Sequence, residues 1–185
     1  MNSPFRNRID KIYTNARTTQ KRWEITMKFL ADFPDAKSGL DLGDRTSFTE
    51  ELESFFDCPF TNSTIDLDIG SIEEKHDIIT AFEVIEHLFN PLHCLLEVRN
   101  SLNPNGRLYL STPKSKPKFL SSPEHFHEMT ELSLNALFKR AKFKVARKIS
   151  FSVHSSWFYL TGVRPLLRSV FDRHWLFELI PFDPD

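Results

Sequence analysis

Cysteine is scarce in this 185-residue chain, and no long apolar run interrupts it. Cys58 and Cys94 are its two thiols. Their separation matches no metal-binding or redox spacing, so a reducing compartment is the default expectation. Cys94 is expected in the core, and Cys58, just ahead of Pro59, in a loop. No stretch reaches the length of a membrane span, and Arg6, Arg8, Asp10 and Lys11 leave no signal-peptide core. A cytoplasmic location is therefore expected. Charge of one sign is not in excess either. A formal net charge of −1 gives no long-range pull towards nucleic acid or anionic lipid. Internal repeats and low-complexity tracts are absent.

The informative stretch runs from Asp77 to Pro113, DIITAFEVIEHLFNPLHCLLEVRNSLNPNGRLYLSTP. Asp77 to Phe82 is apolar and β-branched, as a strand buried on both faces should be. Asn90 followed by Pro91 starts a helix, since Asn is a good N-cap and proline's missing N–H costs nothing at the first helical position. Leu92, Leu95, Leu96, Val98 and Leu102 mainly line one side, with Glu97 and Arg99 outward. Asn103-Pro104-Asn105-Gly106 turns the chain, and Leu108-Tyr109-Leu110 begins a strand. The unit reads as a right-handed βαβ crossover of an α/β protein.

Around this block the reading is coarser. Residues 1–14 form a loose lead-in. Thr18 to Phe33 is expected as an amphipathic helix with Trp23, Met27 and Leu30 on one side and Lys21, Arg22 and Lys28 elsewhere. Ser38 to Gly43 reads as a short strand and turn. Thr49 to Phe56 reads as a helix with Glu50 and Glu51 in its first turn, which favours the dipole. Strands are expected at Thr64 to Ile69, at Phe143 to Phe151 and, pairing antiparallel, at Trp157 to Thr161. Val163 to Phe177 reads as an aromatic-rich helix. One domain spans 1–185, with 152–185 as an aromatic-rich extension whose Trp157, Phe158, Tyr159, Phe171, Trp175 and Phe177 serve core packing or a homodimer seam.

The block from His76-Asp77 through Glu83-Val84-Ile85-Glu86-His87 and Leu102-Asn103-Pro104-Asn105-Gly106 to Ser111-Thr112-Pro113 resembles the second half of class I S-adenosylmethionine (SAM) dependent methyltransferases. The resemblance continues through Glu124-His125-Phe126-His127 and covers about the middle two thirds of the chain. It implies a Rossmann-like α/β fold, a mostly parallel sheet with helices on both faces. Only Ile69 to His76 separates two expected strands where the family fits another helix and strand, so the fold is compressed by about one βα unit.

By this resemblance, Leu40-Asp41-Leu42-Gly43-Asp44 stands where the family has its glycine-rich cofactor loop. Glycines serve there because the backbone turns tightly and approaches the ligand without a Cβ in the way. Here Gly43 remains, while Arg45 and Ser47 replace two further glycines. Arg45 either blocks the adenosine pocket or swings outward and leaves the backbone donors intact. Asp66, about twenty residues past the loop, fits the carboxylate that grips ribose hydroxyls, and Asp68 projects to the same side; either could instead cap the turn at Gly70-Ser71. The resemblance also implies that Phe82 and Glu83 border the methionine part of the cofactor, and their place at a strand carboxyl end is where ligands of open α/β sheets bind. His87, His125 and His127 are candidate bases, with Glu83 beside the methyl path. His125 and His127 make half of a metal-ligand spacing, but no further ligands are evident in sequence, and no metal is expected.

Two functions remain open at this level. The first is a SAM-dependent methyltransferase acting on a small-molecule acceptor. The second is a fold of the same type that has lost its cofactor and serves as a binding or scaffold module, which the Arg45 and Ser47 replacements favour.

Overall fold

The computed structural model describes residues 16–153 and 172–183. Helix α1 (Arg17–Phe29) leads into strand β1 (Gly39–Asp41), helix α2 (Ser47–Phe56) and strand β2 (Phe60–Asn62). Strand β3 (His76–Phe82) is followed by a 3₁₀ turn at Ile85–His87, helix α3 (Pro91–Ser101) and strand β4 (Leu102–Pro113). Helix α4 (Glu131–Arg140) precedes strands β5 (Phe143–Phe151) and β6 (His174–Pro181).

The strands form one sheet in the order β2-β1-β3-β4-β6-β5. β2, β1, β3 and β4 run parallel, and β6 inserts antiparallel between β4 and β5. Between β2 and β3 lies neither helix nor strand, so the missing βα unit falls beyond the β2 edge. Alternate residues of the central strands feed two cores. Ile79, Ala81, Leu108, Leu110, Phe177 and Leu179 pack with Leu95 and Val98 of α3 and Leu134 and Phe138 of α4. On the opposite face Ile78, Tyr109 and Leu176 meet Phe29 of α1 and Leu52 and Phe56 of α2. Helices therefore cover both faces, as a largely parallel sheet requires.

Local chemistry explains the element ends. Asn90 Oδ1 accepts from His93 N at 3.2 Å with Pro91 at the start of α3. Thr46 and Thr49 form a reciprocal capping box that begins α2 two residues earlier than the charge pattern suggested. Asn105 takes the left-handed conformation inside the 103–106 excursion, which shifts the β3–β4 register between His76 and Ile78. Cys94 is buried in the core, and Cys58 lies in a loop but is also buried.

Two expectations are corrected. Residues 64–69 are not a strand, because Asp66 organises a turn: its carbonyl accepts from Gly70 N at 2.7 Å and its Oδ1 from Asp68 N at 3.0 Å. The strand lies earlier, at Phe60–Asn62, where the Phe60 ring occupies the space a Cβ on Gly39 would need, 2.3 Å away. Residues 174–177 are not helical but belong to β6. That strand is buried on both faces, and such an apolar run carries no periodicity to separate strand from helix. The expected strand at 157–161 and residues 163–171 of the expected helix, with Trp157, Phe158, Tyr159 and Phe171, lie outside the described residues, and 172–173 are not helical. Trp175 and Phe177 are core.

Candidate functional site

A cavity opens beyond the carboxyl ends of β1 and β3. Its walls are Arg22, Trp23, Thr26, Asp41, Leu42, Asp44, Thr46, Phe48, Phe82 and Glu83. Gly43, at the turn between β1 and α2, has φ +118°, and nothing lies within 4 Å of where its Cβ would stand. That backbone is accessible because of this glycine. The turn is fixed from the neighbouring strand end: Gly43 N donates to Ser63 Oγ at 2.9 Å, and Asn62 Nδ2 donates to the carbonyls of Asp41 and Gly43, each at 3.3 Å. Arg45 is turned away from the cavity wall. Its guanidinium lies 2.5 Å from Glu53 Oε2 and donates to the Phe60 carbonyl at 3.2 Å. The outward alternative for Arg45 is the one the fold adopts.

Asp41 is buried at the end of β1 and accepts hydrogen bonds from Thr80 Oγ1 at 2.7 Å and Thr49 Oγ1 at 2.8 Å. Burial pushes its carboxyl above the usual range, opposed in part by those hydroxyls. On the roof, Trp23 of α1 stacks on Phe48 with ring centroids 5.0 Å apart.

Glu83 closes the far end. It follows β3 in the left-handed region, φ 57°, a strained conformation for a residue with a full side chain. Its Oε2 lies 2.6 Å from Arg22 Nη1 and 2.9 Å from His174 Nδ1, and its Oε1 accepts from Ser111 Oγ at 2.8 Å. Burial by itself would raise this carboxyl, but Arg22 and then His174 outweigh it and hold Glu83 far below the usual carboxylate range. Glu86, three residues on, is fully buried. Burial, reinforced by the Glu83 charge, pushes its carboxyl well up. Two neighbouring carboxyls are thus driven in opposite directions by their surroundings, a pattern common at functional sites.

The loop after β4 docks on the 3₁₀ turn. Phe126 N and His127 N both donate to the Glu86 carbonyl, at 2.8 and 3.2 Å. This brings the His87 and His125 rings edge to face with centroids 4.9 Å apart. The ligand atoms of Glu86, His87 and His125 all lie within 4.8 Å of one another. Burial, then the neighbouring His125, lowers the His87 pKa and favours neutral imidazole. His127 stands to one side, its Nε2 3.4 Å from the Phe89 carbonyl.

Of the expected residues, Asp41, Asp44, Phe82 and Glu83 line one cavity, with Gly43 at its turn. His87 and His125 form a second cluster next to it. Asp66 and Asp68 stand apart from the cavity wall: Asp66 holds its own turn, and Asp68 Oδ1 accepts from Asn90 N at 2.7 Å, tying that turn to α3. Sequence reading missed Arg22, His174, Asn62 and Ser63. Arg22 was placed off the apolar side of α1, yet it is buried at the site. Its only sequence signal was a position adjacent to Trp23.

A family model described as a methyltransferase domain matches residues 15–148. The ubiquinone biosynthesis O-methyltransferase of Aeromonas salmonicida (strain A449) is 24% identical over 84 residues, 44% of this chain and 35% of that protein. The chain thus matches about a third of the length of that relative. Among solved structures, the N-methyltransferase NodS from Bradyrhizobium japonicum WM9 in complex with S-adenosyl-L-homocysteine superposes with TM-score 0.67 at 13% identity, over 94% of this chain and 92% of that one. An O-methyltransferase from a trans-AT polyketide synthase multienzyme of Brevibacillus brevis, also in complex with S-adenosyl-L-homocysteine, gives 0.62 at 12% identity over 89% and 73%.

Proposed function

The chain belongs to the class I SAM-dependent methyltransferase family, and on that premise we propose that it transfers a methyl group from SAM to a small-molecule acceptor, at an oxygen. The open Gly43 turn, with Arg45 directed away from it, carries the reading. Asp41, Asp44 and Glu83 place carboxyls on the cavity wall, Glu83 paired there with Arg22, and Trp23, Phe48 and Phe82 supply apolar wall. SAM, when bound, provides a methyl group on a positively charged sulfur. The protein's contribution is to hold donor and acceptor aligned and to exclude water. Glu83, kept ionised by Arg22 and His174, orients groups at the junction of the two subsites. Methylating a hydroxyl requires its proton to leave, and His87, His125 and His127 are the acceptors within the adjoining loop.

The oxygen acceptor is favoured by the O-methyltransferase relatives, while NodS keeps nitrogen as the second choice. Phe89 and Phe126 stack 4.2 Å apart and are both exposed beside the histidine cluster, a surface suited to an aromatic or lipid-like acceptor. The Arg45 geometry also removes the main support for a scaffold without cofactor. Incubating the chain with methyl-labelled SAM and a panel of phenols, sugars, lipid-like alcohols and amines tests the reading. Label transfer to a hydroxyl is expected. Transfer confined to amines would overturn the choice of atom, and none to any acceptor would favour the scaffold.

A further inference from the structure

We propose that Glu86, His87 and His125 form a binding site for a divalent first-row transition-metal ion beyond the carboxyl ends of β3 and β4. The expectation of no metal came from the lack of ligands in sequence near His125 and His127. The fold supplies them from the segment after β3, and the partner of His125 is His87 rather than His127.

Three observations converge on the ion. The candidate ligand atoms lie within 4.8 Å of one another, a spread that an ion about 2.0–2.2 Å from each nitrogen and oxygen can draw together. Both imidazoles are already held through Nδ1. His87 Nδ1 lies 3.0 Å from the Glu124 carbonyl, and His125 Nδ1 lies 2.7 Å from Glu128 Oε1. A carbonyl and a carboxylate as acceptors place the proton on Nδ1 and leave a lone pair on Nε2, the arrangement that metal-bound histidines use. The third observation concerns Glu86. Its Oε2 accepts from Thr112 Oγ1 at 3.2 Å, but its Oε1 is buried with no hydrogen-bond partner among the described residues. A buried carboxyl oxygen without a partner is costly, and a cation held by this carboxyl and the two imidazoles would displace its proton and satisfy it.

Two imidazoles and one carboxylate select zinc, manganese or iron over magnesium or calcium, which prefer all-oxygen shells. Three protein ligands leave coordination positions open. Under the methyltransferase reading, on which this role rests, an acceptor hydroxyl can displace water there and become more acidic, its proton passing to His127 or to solvent because His87 and His125 are then ligands. Ion binding itself does not depend on that reading.

The test is titration of the chelator-stripped full chain with zinc chloride and, separately, manganese chloride, read by calorimetry and by metal content after gel filtration. One ion per chain is expected. His87→Ala and His125→Gln should each weaken binding at least about tenfold, roughly 1.4 kcal/mol, with unchanged far-ultraviolet circular dichroism. His127→Ala should leave it unaltered. Cobalt(II) in the same site should give visible absorption typical of few-coordinate nitrogen and oxygen ligation, lost in His125→Gln. Folded wild-type chain that retains no ion, or binding indifferent to His87 and His125, overturns the proposal. Metal binding without any binding of S-adenosylhomocysteine would overturn the functional reading and leave the metal site standing.

Discussion

β1 and β2 contribute three residues each to the sheet, whereas β4, β5 and β6 contribute twelve, nine and eight. The short half carries the Gly43 turn, and the long half helps hold Glu83, Glu86 and the histidine loop. Strands of three residues offer few ladder bonds with which to hold a turn, so side chains take over. Ser63, Asn62, Thr49 and Thr80 each place a hydrogen bond on the Asp41–Gly43 segment. The long half is held by burial and opposed charge instead, with Glu83 between Arg22 and His174 and Glu178 of β6 between Arg107 and Arg147. The cofactor end therefore depends on neutral polar contacts and the other end on buried ions, and the two should fail differently.

The largest effect is expected in the long half. Glu83→Ala leaves the Arg22 guanidinium buried without its carboxylate, and unfolding in urea should show a loss of about 3–5 kcal/mol. The same group sets a pH dependence. Because its folded pKa lies below its ordinary value of 4.5, its contribution is complete above that value and is lost as pH falls through the folded pKa. The acid limb of the stability curve should be flatter in Glu83→Gln than in the wild type. A parallel pair of curves would mean that the Arg22 contact contributes nothing.

In the short half, Asp41→Ala removes the acceptor of two hydroxyls and should cost about 1–3 kcal/mol and, unlike the loss of Glu83, should not flatten the acid limb of the stability curve. Asn90→Ala, at the α3 cap that links the two halves through Asp68, should cost about 1 kcal/mol in the same urea assay. The smallest effect belongs to Arg45→Gly. The guanidinium already faces Glu53, so affinity for S-adenosylhomocysteine should change by no more than about twofold. A large gain in affinity would show that Arg45 obstructs the cavity after all.

The long half was the legible one. The apolar, β-branched run from Asp77 and the Asn-Pro helix start each leave a local pattern, and both recur in the structure, while the turn expected at 103–106 survives as an irregularity within β4. The parallel pairing of β3 with β4 followed from that unit. The short half was harder to read for physical reasons. A three-residue strand such as Phe60–Asn62 is too short to show a period, and the more apolar Thr64 to Ile69 drew the assignment away. β6 was misread because burial on both faces erases alternation. Among the cavity residues, Phe82 and Glu83 were legible from their strand end, and Asp41 and Asp44 from the resemblance of their segment to a cofactor loop. Arg22 and His174 were not, since a buried ion pair between segments 61 and 91 residues apart from Glu83 leaves no local trace; these offsets are the differences of the residue numbers. The meeting of His87 with His125 was hidden for the same reason, because a docked loop creates it.

The central claim is that the backbone at Gly43 cradles a nucleoside sulfonium, and calorimetric titration with S-adenosylhomocysteine tests it most directly. The wild-type chain should bind with about micromolar affinity, near −8 kcal/mol. Gly43→Val, which places a branched side chain at φ +118°, should weaken binding at least about tenfold through backbone strain of about 1–3 kcal/mol. No binding by a correctly folded wild-type chain, or equal binding by the valine variant, would contradict the account.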